Sequence, residues 1–123
     1  MRERLQSVFA RWRSLKEIEA LSERDLSDIG LSRAEVIDFV QMPVDSPRRL
    51  AAMAEIFGLT EAELRAEHEA YLDLLRNCGH CGARRACSET LAHADQARPA
   101  DCGFCPNAAE YAARAALKAQ AAR

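Results

Sequence analysis

The stretch Ser46-Pro47-Arg48-Arg49-Leu50-Ala51-Ala52-Met53-Ala54-Glu55-Ile56-Phe57-Gly58-Leu59-Thr60-Glu61-Ala62-Glu63-Leu64 decides the fold. Serine before proline is a helix start, a cap residue followed by a fixed φ at the first helical position. Leu50, Met53, Ala54 and Phe57 then recur at spacings of three and four and line one face. Gly58 stops that helix, and Thr60 with Glu63 opens the next as a capping box. Two amphipathic helices joined by a glycine turn leave no room for a strand.

Ala54, Gly58 and Leu64 also fall where a helix-turn-helix places its small residue, turn glycine and apolar residue. The second helix, however, carries Glu61, Glu63, Glu67, Glu69 and Asp73 against Arg65 alone. Phosphates repel such a helix. The pair therefore reads as a packing hairpin, and DNA is not expected as a partner.

Downstream, the helix from Thr60 buries Leu64, Tyr71, Leu72 and Leu75, with His68 on the same face as a core histidine. Upstream, residues 3–21 read as an amphipathic helix through Leu5, Val8, Phe9, Trp12, Leu15 and Ile18. Ser22 with Asp25 starts a short helix that ends at Gly30. Ser32 with Glu35 caps another, carrying Val36, Ile37 and Val40, and Pro43 closes it. The expected fold is all-α, a compact bundle of five to seven short helices. Residues 1–45 form an N-terminal segment and residues 46–123 a cysteine-rich domain.

The whole chain has 123 residues, 49% hydrophobic and only 6% aromatic, which suits Ala-rich helices better than a sheet. Net charge is -2, so nothing drives the whole chain toward nucleic acid or an anionic membrane. The charge is uneven: Arg2, Arg4, Arg11, Arg13 and Lys16 face only Glu3 in the first 16 residues. The plain reading of that helix is a packed element with a solvated basic face. Docking on a larger protein partner is the first functional reading, with RNA or a membrane surface next. No apolar run approaches the ~18 residues of a spanning helix. Met1-Arg2-Glu3-Arg4 leads into an amphipathic segment and not an apolar signal core. The expected location is the cytoplasm, where thiols stay reduced.

All five cysteines lie after residue 77. They run Cys78-Gly79-His80-Cys81, then Cys87, then Cys102-Gly103-Phe104-Cys105-Pro106. An odd number leaves one thiol over in a pure disulfide framework. Plain buried thiols would not come as paired Cys-x-x-Cys, and a thioredoxin-type dithiol lacks its βαβ surroundings. A metal or cluster site is expected.

Two ligand sets are open. Cys78, Cys81, Cys102 and Cys105 make two knuckles separated by 20 residues, the style of structural zinc. Cys78, Cys81, Cys87 and Cys105 make a three-plus-one grouping with proline after the fourth, the style of a 4Fe–4S cluster. The second set is preferred, with Cys102 as the alternative ligand and Zn2+ as the alternative metal. Cys105 is expected at the N-cap of a helix whose first residue is Pro106, where backbone N–H groups and the helix dipole favour a thiolate. Gly79 and Gly82 are expected to curl the backbone toward the site. Arg84, Arg85 and His80 are expected beside it, the arginines offsetting the charge of four thiolates. A helix of about two turns is expected after Cys87, and a loop from Ala97 to Asp101.

Two resemblances follow from these residues. Residues 11 to 40 or so, through Leu21-Ser22-Glu23-Arg24-Asp25-Leu26-Ser27-Asp28-Ile29-Gly30-Leu31-Ser32-Arg33, resemble the YjiS-like family, a domain of unknown function. Some of its members have been linked to RNA. Residues 48 to 115 or so resemble a small alphaproteobacterial family of unknown function. Its pattern appears here as Cys78, Cys81, Cys87 and Phe104-Cys105-Pro106-Asn107-Ala108, and Cys102 falls outside it. That resemblance implies the three-plus-one ligand set. No acid/base pair, nucleophile triad or phosphate loop points to an enzyme. The expected function is a small iron–sulfur protein, an electron-transfer or accessory subunit of a larger redox enzyme. A metal- or redox-sensing regulator, or a zinc-stabilised adaptor binding protein or RNA, is the alternative.

Overall fold

Every regular element in the computed structural model is helical, and no strand occurs among the residues it describes, 15–122. Most of the expected first helix, with Phe9 and Trp12, lies outside them; residues 15–19 are helical. The chain divides into two units, one ending at Met42 and the other starting at Pro43.

In the first unit, helices α1 (Glu23–Ile29) and α2 (Arg33–Gln41) follow residues 15–19. Both begin with reciprocal capping boxes, Ser22 with Asp25 and Ser32 with Glu35. Gly30 ends α1 at φ 74°, its N–H bonded to the carbonyls of Leu26 and Ser27. Arg33 then donates to the carbonyls of Ile18, Glu19 and Leu21. Its guanidinium thus satisfies carbonyls left over where helical residues 15–19 end. Ile18 and Leu26 are the buried apolar residues among those described in this unit.

The second unit holds α3 (Ser46–Ile56), α4 (Glu61–Arg65), α5 (His68–Gly79), α6 (Arg84–Leu91), a 3-10 turn (Pro99–Cys102) and α7 (Ala108–Ala121). Helix α3 is the hub, packed against α4, α5 and α6. Leu50, Met53, Ala54, Phe57, Leu59, Leu64, Tyr71, Leu74, Leu75 and Tyr111 form the apolar core. Tyr111 of α7 is fully buried, meets the Phe57 ring at 5.3 Å and donates to the Leu50 carbonyl at 3.3 Å.

Several local expectations change. The cap of α3 is Asp45, not Ser46: Ser46 lies inside the helix, fully buried, and its Oγ has no hydrogen-bond partner among the described residues. The helix from Thr60 breaks at Ala66 and Glu67, which lets α4 and α5 each pack on α3. His68 opens α5 on the exposed side and is not a core histidine. Leu72 is only half-buried. Helix α7 starts at Ala108, so Asn107, not Cys105, is its cap.

Gly58 takes φ 84° at the α3–α4 turn, a region costly to any residue with a Cβ. Gly58→Ala should therefore lower stability by about 1–2 kcal/mol although the added methyl meets nothing. A urea denaturation midpoint measures this, and an unchanged midpoint would refute it.

Candidate thiol site

The four cysteines of the three-plus-one set converge from four places in the second unit. Cys78 lies in the last turn of α5, Cys81 in the following loop, Cys87 within α6 and Cys105 between the 3-10 turn and α7. The expected helix after Cys87 begins earlier, at Arg84, and contains Cys87. All four thiols line one cavity of about 20 Å³, walled by Leu50, Met53, Phe104 and Tyr111 and reached by Arg49.

Cys102 is not part of that wall. It is fully buried, and its thiol donates to the Arg98 carbonyl at 3.6 Å. This is the bonding of a neutral packed thiol. The two-knuckle set therefore has one member turned to other work.

Backbone N–H groups serve two of the sulfurs. Ala83 N–H donates to Cys81 Sγ at 3.3 Å. Asn107 N–H plays the same part for Cys105 and opposes the upward push of burial on that thiol. Each donor lies two residues beyond its cysteine and is the N-cap residue of the helix that follows, α6 or α7. Burial still dominates, and the Cys105 thiol sits above its ordinary value, contrary to the expected stabilised thiolate. Gly79 and Gly82 do not use a left-handed turn; only Gly30 and Gly58 do among the described residues.

Cys78 is pushed up to about 11, chiefly by burial and then by Cys87, Cys105 and Cys81, with Arg84 opposing. Its thiol donates to the Ser46 carbonyl at 3.6 Å. Loading a metal here must therefore release thiol protons. Among the described residues no group of three or more His, Cys, Asp or Glu side chains is arranged to hold a metal ion. The thiols surround a shared space without closing on one point.

Of the residues expected beside the site, Arg84 is there, donating to Asp45 at 2.6 Å. Arg85 is 95% exposed and pairs with Glu89, and His80 is exposed at the end of α5. Arg49 is there too: it donates to Asp45 at 2.8 Å and lines the cavity beside Cys87. Two further partners, Arg84 and Ser88, lie 35 and 39 residues on, so no local pattern places it at the thiols.

Asp45, held first by Arg49 and then by Arg84, has its carboxyl lowered to about 2. A folded value below the unfolded one gives stability that is present above about pH 4 and lost as pH falls toward 2. Asp45→Asn should lower stability at neutral pH and flatten its decline between about pH 4 and 2. Urea midpoints across that range test it; parallel curves for both proteins would refute it. The group is partly exposed, so solvent screens part of the effect.

Fold and site together define a small all-helical protein with a four-thiol cavity. Residues 1–36 match the YjiS-like domain, in part the stretch expected from the sequence. No curated protein and no solved structure matches the chain. No helix among the described residues is long and apolar enough to cross a membrane.

Proposed function

We propose that this is a small non-catalytic cofactor protein in which Cys78, Cys81, Cys87 and Cys105 ligate a 4Fe–4S cluster. It acts as an electron-transfer or accessory subunit of a larger cytoplasmic redox enzyme, docked through its basic N-terminal segment. One observation carries the reading: these four thiols line a common cavity and Cys102 does not. The Cys-x2-Cys-x5-Cys and Phe-Cys-Pro-Asn-Ala pattern selects the same four.

The chemistry of the surroundings fits. N–H donors at Cys81 and Cys105 stabilise thiolate sulfur and tune a cluster. Arg49 and Arg84 supply positive charge beside an assembly of about two negative charges. A cluster brings its own bridging sulfides and takes cysteines that stand apart, whereas zinc needs sulfurs about 2.3 Å from one point.

Cavity size favours the second reading, a zinc-stabilised adaptor. About 20 Å³ is the room of roughly one water, which suits a single ion. We weight the spacing of the thiols above the volume, because Met53 and half-buried Phe104 wall the cavity and can repack. Anaerobic redox titration followed in the visible separates the two. A cluster carrier bleaches on reduction and recovers on reoxidation; a zinc protein is colourless throughout and unfolds with chelator.

A further inference from the structure

Arg49 sits near the start of α3 with a side chain only 17% exposed. Its guanidinium is used on every side. Nε donates to Asp45 Oδ2 at 2.8 Å, Nη1 to the Arg84 carbonyl at 3.1 Å and Nη2 to Ser88 Oγ at 2.7 Å. Arg84 Nη2 closes the loop on the other Asp45 oxygen at 2.6 Å.

These bonds bracket one cysteine. Arg84 and Ser88 lie on either side of Cys87 in α6, and Arg49 lines the thiol cavity together with Cys87. Cys81 and Cys105 receive backbone N–H donors, and Cys78 meets the Ser46 carbonyl. Cys87, inside a regular helix, is flanked by two residues that a side chain on another helix ties down. A planar guanidinium can hold a carboxylate, a carbonyl and a hydroxyl at once; a lysine cannot match that fork.

Resting on the thiol-site reading above, we infer that Arg49 is the positioning residue of that site. It seats the Cys87 sulfur at the cavity and supplies fixed positive charge to a four-thiolate centre. Outer partners of metal ligands matter this much because they orient the ligand and set its basicity.

The test is anaerobic titration of the full chain with Co2+, read by its sulfur-to-cobalt charge-transfer band. Arg49→Met should bind Co2+ about 10- to 100-fold more weakly than wild type, with an altered band. Arg49→Lys, keeping the charge and losing the fork, should fall between. Circular dichroism of the metal-free proteins reports folding separately. A folded Arg49→Met with affinity within about threefold of wild type and the same band overturns the inference. If Arg49→Met does not fold, Asp45→Asn carries the test, since it frees Arg49 from its anchor: weaker binding supports the role, and unchanged binding overturns it. Wild-type protein that binds no Co2+ overturns the thiol-site reading itself, a result distinct from the failure of Arg49.

Discussion

Cys87→Ser should strip the purified protein of the proposed metal centre, whereas Cys102→Ser should keep most of it. Cys87 lines the common cavity together with Arg49. Serine there offers a hydroxyl that scarcely ionises and is a poor ligand for a thiophilic metal. Three thiols then face a centre that wants four. Cys102 differs although it is the most deeply buried of the five. Its thiol donates to the Arg98 carbonyl, a bond that a serine hydroxyl can take over, so the cost is confined to about 1 kcal/mol of polar burial. Metal and sulfide per chain, measured on both variants purified anaerobically, decide the matter. Loss of metal in Cys102→Ser with retention in Cys87→Ser would overturn the three-plus-one set and support two zinc knuckles.

Tyr111→Ala should be the most destabilising single change in the second unit, costing about 3–5 kcal/mol. The residue is fully buried, packs on Phe57, bonds to the Leu50 carbonyl and walls the thiol cavity. Truncation therefore removes core volume and opens the floor of the site in one step. Tyr111→Phe keeps the ring and should cost only about 1 kcal/mol. Urea unfolding of the metal-free protein measures both. Because metal binding draws on folding free energy, Tyr111→Ala should weaken metal retention as well. Equal costs for the two variants would show that the hydroxyl, not the packing, matters.

The helical class was legible because each signal was local. Gly58 sits in the left-handed turn that its type suggests, and Ser22, Ser32 and Thr60 all close the capping boxes read from their spacing. The expected apolar face of α3 is buried at Leu50, Met53, Ala54 and Phe57. What failed depends on distant partners. Asp45 lies beside a serine and proline that look like a start, yet its carboxylate is drawn off by Arg49 and Arg84. Arg65-Ala66-Glu67-His68 contains no breaker, and the break there serves packing on α3. Helix α6 begins at Arg84 with Ala83 before it and no side-chain cap, so its start could not be placed. The cysteine spacing left two ligand sets open, with the three-plus-one set preferred; in the folded chain those four cysteines line one cavity and Cys102 does not. Arg33 and Arg49 carried no structural role in the sequence; each ties one element to another through carbonyls remote in sequence.

The most direct measurement is the iron, sulfide and zinc content of anaerobically purified wild-type protein, taken with its visible spectrum. The account predicts brown protein with about four irons and four sulfides per chain. Colourless protein with about one zinc would contradict the cluster and make the four thiols a structural staple. Protein lacking iron, sulfide and zinc, with five reactive thiols, would contradict the site itself.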